Sequence, residues 1–263
     1  MKTVDDRESQ EQRVIETFDT KAPTYAAGYL GRSSTAHSFV VRRARVYEMV
    51  GDRPPGPMLD VGCGPGVTVD HFVRRGFDVH GVDISPEMIT ECRRTFGHLD
   101  AAHFSVGVIE QLRFPDAAFD IVTCMGVVEY VPDDAAAMKE MARVTRPGGL
   151  VIVTLPNAWS PYRVWQRTVY RGLRAVARRL TGRGPAPPSV AHREYRARAY
   201  CDLLSSHGLT VVDVAYYNFT LLPFPLDRLL PGLTVWLSRR LEGLSRGPLR
   251  WLGTGFIVKA EKR

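Results

Sequence analysis

Cysteine and long apolar runs are scarce in this sequence. Its 263 residues include four cysteines, and no two of them form a Cys-x-x-Cys pair. That spacing argues against a zinc site and against the disulfide scaffold of a secreted protein, so we expect no metal. No stretch approaches the roughly 20 unbroken apolar residues of a membrane-spanning helix. The N-terminal residues are charged and lack the apolar run of a signal peptide, which favours a cytoplasmic protein.

Acidic residues are rare in one segment of the chain. Residues 156–250 contain 15 arginines and 5 acidic residues, whereas residues 1–155 contain 17 Lys/Arg and 22 Asp/Glu. Such asymmetry is typical of chains that contact nucleic acid, a membrane surface or acidic ligands. The hydrophobic fraction of 44% is ordinary for a globular protein, so disorder is not the default interpretation.

Short apolar runs alternate with helical stretches from residue 58 onward, which predicts βαβ units and a parallel sheet. We predict strands at residues 58–61, 77–82, 103–106, 119–124, 150–155, 209–219 and 251–260. Two helices, over residues 7–20 and 35–50, precede the first strand. The chain thus divides into an N-terminal helical cover (1–52), an α/β core (53–155), a basic insertion (156–200) and a C-terminal part of the core (201–263) with a second insertion at about 220–250.

A glycine-rich turn follows the first strand, with Gly62, Gly64 and Gly66 at alternate positions. Glycine lets the backbone turn tightly and lets a ligand approach where no Cβ intervenes. The spacing differs from the Gly-x-Gly-x-x-Gly of dinucleotide-binding proteins. Asp83, at the end of the second strand, lies where a carboxylate can accept both ribose hydroxyls of a nucleoside. A helix-capping or solvated aspartate is the alternative, which the upstream loop makes less favoured.

With Asp60 two residues before Gly62, this stretch resembles motif I of the class I S-adenosylmethionine-dependent methyltransferases. Residues 119–133 resemble the strand-four segment of the ubiquinone-biosynthesis O-methyltransferase group, and Arg146-Pro147-Gly148-Gly149 is similarly typical of the family. Phe18-Asp19-x-x-Ala22-x-x-Tyr25 resembles the segment that many small-molecule methyltransferases fold over cofactor and substrate. The resemblance implies a Rossmann-like, seven-stranded, mostly parallel sheet with helices on both faces, in which one of the last two strands is antiparallel.

The resemblance also implies the cofactor, S-adenosylmethionine, with S-adenosylhomocysteine as product. The glycine loop would wrap the methionine part, Asp83 would take the ribose, and Ile109 with its neighbours would flank the adenine. Arg42 lies where that group carries an arginine able to pair with the cofactor carboxylate. The implied cofactor-binding residues are Arg42, Asp60, Gly62, Cys63, Gly64, Gly66, Asp83, Ile84, Met88, Val108, Ile109 and Met125.

Two departures from the family pattern bear on the site. Val108 is apolar where many relatives place an acid that accepts the adenine amino group, and Glu110 lies two positions on. Tyr130 stands where the close relatives have the histidine of Glu-His-Val, so a base at that position is missing. Glu129 is interpreted as a brace of the loop after strand four, and Cys124 as a small core residue rather than a nucleophile.

Methyl transfer from a sulfonium requires donor and acceptor to be aligned and water to be excluded. A hydroxyl acceptor additionally benefits from a base within hydrogen-bond reach. The candidate bases are His37, in the N-terminal cover, and His192, after the breaker run 182–189; each has a structural role as the alternative. We expect O-methylation of a small, largely apolar phenol, enol or sugar hydroxyl. N- or C-methylation, an RNA methyltransferase and a non-catalytic cofactor-binding assembly factor are the rival hypotheses.

One helix, over residues 161–181, carries a basic and an apolar stripe on opposite faces. The arginines are 163, 167, 171, 174 and 178, and the apolar residues are Trp165, Val169, Leu173, Val176 and Leu180. It is interpreted as a lid packed on the core, or as a lid that also rests on an anionic membrane or admits a lipophilic acceptor. Nucleic-acid binding is the third interpretation, but no RNA-binding module accompanies the arginines, so we expect no nucleic-acid partner.

Overall fold

The computed structural model describes residues 4–31, 33–181, 190 and 192–263. One seven-stranded sheet organises it, in the order β3-β2-β1-β4-β5-β7-β6. The strands are β1 (Pro57–Val61), β2 (Asp78–Asp83), β3 (Ala102–Val106), β4 (Phe119–Met125), β5 (Thr145–Pro156), β6 (Leu209–Tyr217) and β7 (Gly255–Lys262). The α-helices are α1 (Val4–Tyr25), α2 (Ser34–Val50), α3 (Val69–Arg74), α4 (Pro86–Phe96), α5 (Asp134–Val144), α6 (Pro161–Trp165), α7 (Arg171–Leu180), α8 (Ala197–Ser206), α9 (Leu226–Leu229) and α10 (Pro231–Leu241).

The sheet is parallel except for β7, which runs antiparallel to both β5 and β6. This confirms the predicted seven-stranded, mostly parallel sheet. The strand order turns at β1, which pairs with β2 on one side and β4 on the other. Connections that leave a parallel sheet in opposite directions open a crevice beyond the carboxyl ends of the strands. The glycine loop and Asp83 lie at that crevice.

Helices cover both faces of the sheet, as predicted. On one face Val46 and Met49 of α2 pack with Phe72 of α3 against the apolar side chains of β1 and β2. On the other, Met138 of α5 and Tyr200 of α8 pack against β4 and β5. The central strands are buried on both sides, which is why their sequences read as continuous apolar runs.

The basic insertion differs from the single helix predicted over 161–181. A π-helical turn, Gln166–Tyr170, separates α6 from α7. The aromatic side chains around this turn hold the insertion to residue 224: the indole of Trp165 donates to the Phe224 carbonyl at 3.0 Å, and the rings of Tyr170 and Phe224 lie 4.4 Å apart. Tertiary contacts of this kind, which periodicity does not register, decide where a helix departs from regular geometry.

The N-terminal helix is also longer than the predicted one. The first helix runs from Val4 to Tyr25 rather than over residues 7–20, because Phe18 and Tyr25 gain aromatic partners that sustain it. Helix α5 ends at Val144, and the Arg146–Gly149 turn is part of the long strand β5. Among the described residues, none of the helices combines the length and the apolar character that crossing a bilayer demands.

Candidate active site

A cavity opens at the carboxyl ends of β1, β2 and β4, and its free space, counted together with the solvent at its mouth, is about 850 Å³. Ligands of open α/β sheets bind at this position because the loops that leave neighbouring strands part there. Nine of the predicted cofactor-binding residues line the cavity: Gly62, Cys63, Gly64, Asp83, Ile84, Met88, Val108, Ile109 and Met125. The sheet thus brings together residues that the sequence separates by more than 60 positions.

The glycine loop has the backbone geometry that only glycine adopts readily. Gly62 has φ +68°, and a Cβ built on it would lie 2.0 Å from Cγ2 of Val127. Gly66 has φ +79°, and its Cβ would lie 2.8 Å from the Phe96 ring. Gly62 also donates its amide to the Val82 carbonyl at 2.7 Å, which ties the loop to β2. A side chain at either glycine would push the loop away from its packing partner.

Asp83 is held in place by backbone amides at both carboxylate oxygens. Oδ2 accepts from the Gly64 N–H at 2.8 Å, and Oδ1 accepts from the Ser85 N–H at 2.9 Å. Ser85 in turn caps α4 by accepting from the Met88 N–H at 3.1 Å, and its hydroxyl donates to Asp19 of α1 at 2.5 Å. Burial raises the pKa of Asp83. The carboxylate lines the cavity with its remaining lone pairs available to a ligand.

Asp60 has a different place from the one expected of a cofactor ligand. It is buried, and its carboxylate accepts from the hydroxyls of Thr68 at 2.6 Å and Thr123 at 2.8 Å. Those bonds join the end of β1 to the start of α3, which follows the glycine loop, and to β4. Asp60 is absent from the described lining of the cavity, where Gly62 and Gly64 stand instead. The geometry therefore makes Asp60 a brace beneath the loop.

Burial raises the pKa of Asp60 to about 6, against 3.8 for a free aspartate. Between these values the folded chain holds more protons than the unfolded chain, so stability falls as pH rises through the window from about 4 to 6. We expect the free energy of unfolding to drop by about 3 kcal/mol over this window relative to Asp60→Asn. Urea unfolding at pH 4 and pH 7 measures the difference. Asp100→Asn, an exposed control, should keep the wild-type pH dependence, and an Asp60→Asn profile parallel to wild type would contradict the expectation.

Arg42 lies against the cavity wall from the side of α2. A Cβ added to Gly126 would fall 2.3 Å from Nη1 of Arg42, so the guanidinium occupies the space that this glycine leaves open. Its Nε is buried and has no hydrogen-bond partner among the described residues. Arg42 itself is not among the lining residues, but a buried guanidinium with one unused donor behind Gly126 is suited to a carboxylate ligand. This orphaned donor, together with the glycine loop, fits the methionine part of S-adenosylmethionine.

The structure separates the two histidines proposed as bases. His37 is buried in α2, and its Nε2 lies 3.0 Å from the Ser238 hydroxyl of α10, outside the described cavity lining. His192 is also absent from the described lining, but it packs edge-on against Tyr130, a cavity residue, with 5.4 Å between ring centroids. Burial and the nearby Arg163 lower the pKa of His192 to about 4. Its imidazole is therefore neutral at pH 7 and able to accept a proton.

Glu129 completes the surroundings of His192. Its Oε1 lies 3.9 Å from Nε2 of His192, while its Oε2 is buried and has no hydrogen-bond partner among the described residues. Burial raises the pKa of Glu129, with Arg42 acting in the opposite direction. A buried acceptor without a donor is a costly arrangement that a protein keeps for a reason.

Cys124 is 1% exposed with a pKa raised by burial, so a thiol packed in the core occupies that position.

Several cavity residues were not singled out from the sequence. Glu11, Val14 and Tyr29 line the cavity from the N-terminal segment, alongside Phe18 and Tyr25 of the resembling motif. They reach it because α1 packs along α4, a contact between distant parts of the chain. Val131 and Pro132, after β4, line the cavity next to Tyr130, whose ring contacts that of Phe18 at 5.4 Å. The aromatic spacing of residues 18–29 was the one signal available for this wall in the sequence.

The fold and the site together define a class. A seven-stranded sheet with antiparallel β7, a glycine loop after β1 and an acid at the end of β2 are the features of a Rossmann-like domain that binds a nucleoside cofactor.

Comparison with known proteins narrows this class. The family model described as a methyltransferase domain matches residues 59–153. The 2-methyl-6-phytyl-1,4-hydroquinone methyltransferase of Synechocystis sp. is 30% identical over 208 residues, which are 77% of this chain and 58% of that protein. The ubiquinone biosynthesis O-methyltransferase of Alkalilimnicola ehrlichii is 36% identical over 102 residues, 38% of this chain and 41% of that protein. The chain spans about half the length of the curated relatives it matches.

Solved structures show the same fold. An S-adenosylmethionine-dependent methyltransferase from Mesorhizobium loti has a TM-score of 0.56 at 15% identity, covering 84% of this chain and 98% of that one. The (4+2)-cyclase SpnF has a TM-score of 0.61 at 18% identity, covering 96% of each chain. Residues 59–153 therefore carry a methyltransferase domain, in a chain that shares its fold with S-adenosylmethionine-dependent methyltransferases.

Proposed function

We propose that the protein transfers the methyl group of S-adenosylmethionine to a hydroxyl oxygen of a small, lipophilic or aromatic acceptor. One observation carries this proposal: the cavity continues from the cofactor loop to a wall of aromatic and apolar side chains. Tyr25, Tyr29 and Tyr130 form that wall together with Phe18 and Val131. Such a surface favours a flat or apolar molecule and excludes water from it.

The residues of the cavity would hold the cofactor in a single orientation. The glycine loop would receive the methionine part and Asp83 the ribose, while Val108 and Ile109 would flank the adenine. Among the described lining residues Glu11 and Asp83 are the two carboxylates. Burial, and after it the charge of Glu11, raise the pKa of Glu110, which directly follows Ile109. We propose Glu11 as the acceptor of the adenine amino group, in place of the acid that Val108 lacks.

When bound, S-adenosylmethionine supplies an electrophilic methyl group on a sulfonium. The protein has to orient the acceptor oxygen toward it, keep water out and remove the hydroxyl proton. We propose His192 as the base, because it is neutral and stands at the Tyr130 side of the cavity. Glu129, within 3.9 Å, would stabilise the imidazolium that forms. His37 lies outside this arrangement and is proposed as a structural residue.

The similar proteins are named for several different reactions. The names of two relatives specify O-methylation, of ubiquinone precursors and of malonyl-[acyl-carrier protein]. SpnF is described as a cyclase, so the fold alone does not assign methyl transfer. N- or C-methylation is the second candidate, because an apolar cavity accepts an amine or a carbon nucleophile of the same shape. An RNA substrate is disfavoured by the aromatic wall, which suits a small molecule.

Matched acceptors test the proposal. The protein is incubated with methyl-labelled S-adenosylmethionine and either 2-alkylphenols or the corresponding 2-alkylanilines, with alkyl chains of increasing length. We expect label on the phenol oxygen, with kcat/KM rising as the chain lengthens, because each buried CH2 contributes about 0.8 kcal/mol. Anilines should be at least tenfold poorer. Preferential labelling of the anilines, or of a ring carbon, would replace O-methylation by the second candidate.

A further inference from the structure

Helix α7 leaves the body of the protein with its apolar face uncovered. Leu173 is 60% exposed, Val176 55% and Leu180 83%, and Val169 of the preceding turn is 37% exposed. These side chains form one stripe along the helix, as the periodicity predicts, but the described residues provide no core for them to pack on. The interpretation as a lid packed on the core therefore does not account for α7. Soluble proteins rarely expose such a stripe unless something covers it.

The second insertion carries further exposed apolar side chains. Leu229 of α9 is 69% exposed, and Leu233 and Trp236 of α10 are 46% and 55% exposed. The two insertions are joined at the base of α7, where the Tyr162 hydroxyl donates to Asp227 at 2.8 Å and Tyr170 packs on Phe224. The exposed leucines and tryptophan thus belong to the part of the molecule from which α7 projects.

The charge beside the stripe is positive. Arg171, Arg174 and Arg179 are exposed on α7, and residues 161–181 contain no acidic residue. Two acids lie at the base of this insertion: Glu194 is paired with Arg167 and lies 3.6 Å from Arg163, and Asp227 accepts from the Tyr162 hydroxyl. An occupant of this surface must therefore offer an apolar interior and a negative border. An anionic lipid bilayer offers both, with acyl chains below a layer of phosphates.

We propose that the surface formed by α7 and the exposed residues of α9 and α10 binds anionic membranes. Leu173, Val176 and Leu180 enter the boundary between headgroups and acyl chains, and the flanking arginines contact lipid phosphates. This inference rests on the proposed function in one respect: a lipophilic acceptor partitions into the bilayer, and the docked enzyme collects it there. Binding itself requires neither cofactor nor acceptor.

Flotation of the full chain with vesicles of phosphatidylglycerol and phosphatidylcholine, at 150 mM salt, tests the proposal. We expect the wild-type protein to float with the vesicles that contain phosphatidylglycerol. With vesicles of pure phosphatidylcholine, a much smaller fraction of the protein should float. Leu173→Gln/Val176→Gln/Leu180→Gln should abolish flotation. Arg171→Glu/Arg174→Glu/Arg179→Glu should weaken partition on the order of a hundredfold. Arg74→Glu/Arg94→Glu/Arg113→Glu makes the same charge change on the exposed far side and should float like wild type.

Other outcomes would overturn the proposal. The wild type staying at the bottom of the gradient, or the far-side variant losing flotation as fully as the α7 variants, removes the membrane role. Binding of a labelled RNA without flotation assigns the arginines to nucleic acid. A dimer that dissociates in Leu173→Gln/Val176→Gln/Leu180→Gln assigns the stripe to a second copy. Calorimetry with S-adenosylhomocysteine on the same variants reports on the proposed function separately, since cofactor binding and flotation depend on different residues.

Discussion

Replacing Asp83 by alanine should weaken the binding of S-adenosylhomocysteine at least a hundredfold, as measured by calorimetry. Hydrogen bonds to a charged group contribute about 1.5–3 kcal/mol each, and a carboxylate that accepts from both ribose hydroxyls makes two of them. A loss of 3 kcal/mol corresponds to more than a hundredfold in affinity. The Gly64 amide also loses the oxygen that orients it at 2.8 Å, so the glycine loop relaxes at the same time.

The same strand supplies the control. Asp78 opens β2 and hydrogen bonds with His103 on its exposed side, at the opposite end of the strand from the cavity. Asp78→Ala should bind S-adenosylhomocysteine as the wild type does. Asp83→Asn keeps one carbonyl oxygen as a hydrogen-bond acceptor, so its affinity for S-adenosylhomocysteine should fall between those of the wild type and the alanine variant. If Asp83→Ala binds within threefold of the wild type, the nucleoside site is not where the cavity places it.

His192→Asn should reduce kcat for the labelled 2-alkylphenol by a factor of about 10² to 10⁴, the usual contribution of a positioned base. Binding of S-adenosylhomocysteine should stay unchanged. Because the pKa of His192 is lowered to about 4, the wild-type rate should rise with pH through that value and be flat from pH 6 to 8. The variant should lose the rise near pH 4, which a structural role for the histidine would not produce.

Two further histidines separate this role from a general effect. His98, exposed after α4, is a matched site for substitution, and His98→Asn should keep the wild-type kcat. His37→Asn should keep kcat too but lower the melting temperature, because it removes the buried contact with Ser238 that ties α2 to α10. A His192→Asn enzyme with full activity would show that the acceptor is deprotonated without this imidazole. A His37→Asn enzyme that is folded but inactive would show that His37, on α2, is the base.

Much of the core was predictable from local signals. Each predicted strand overlaps an observed one. The central strands β1, β4 and β5 were the clearest, because strands buried on both faces must be apolar along their length. Nine of twelve predicted cofactor residues line the cavity, since the ends of adjacent parallel strands meet at one edge whatever the loops do. Strand and helix ends were less predictable: α5 stops at Val144 because the following turn joins β5, a pairing that local sequence does not express.

The structure places several site residues differently from the sequence-based expectation, and these differences have a common cause. Asp60 looks like a ligand in sequence because it precedes the glycine loop, yet its two threonine partners, at 68 and 123, come together only through the sheet. His37 looks like a base because it lies in the predicted cover. In the structure α10 packs on α2, and the His37 imidazole hydrogen bonds with Ser238 of α10. Glu11 and Tyr29 carry no motif of their own. Each of these placements depends on contacts between residues far apart in the chain.

The glycine loop after β1 and the acid at the end of β2 follow from the chain itself, because backbone conformation and strand periodicity are local properties. They were enough to indicate the cofactor. The aromatic wall of the cavity, the different surroundings of His37 and His192, and the uncovered face of α7 follow from tertiary packing alone. Periodicity shows that a helix has an apolar face. Only the positions of the other helices show that no described part of the chain covers that face.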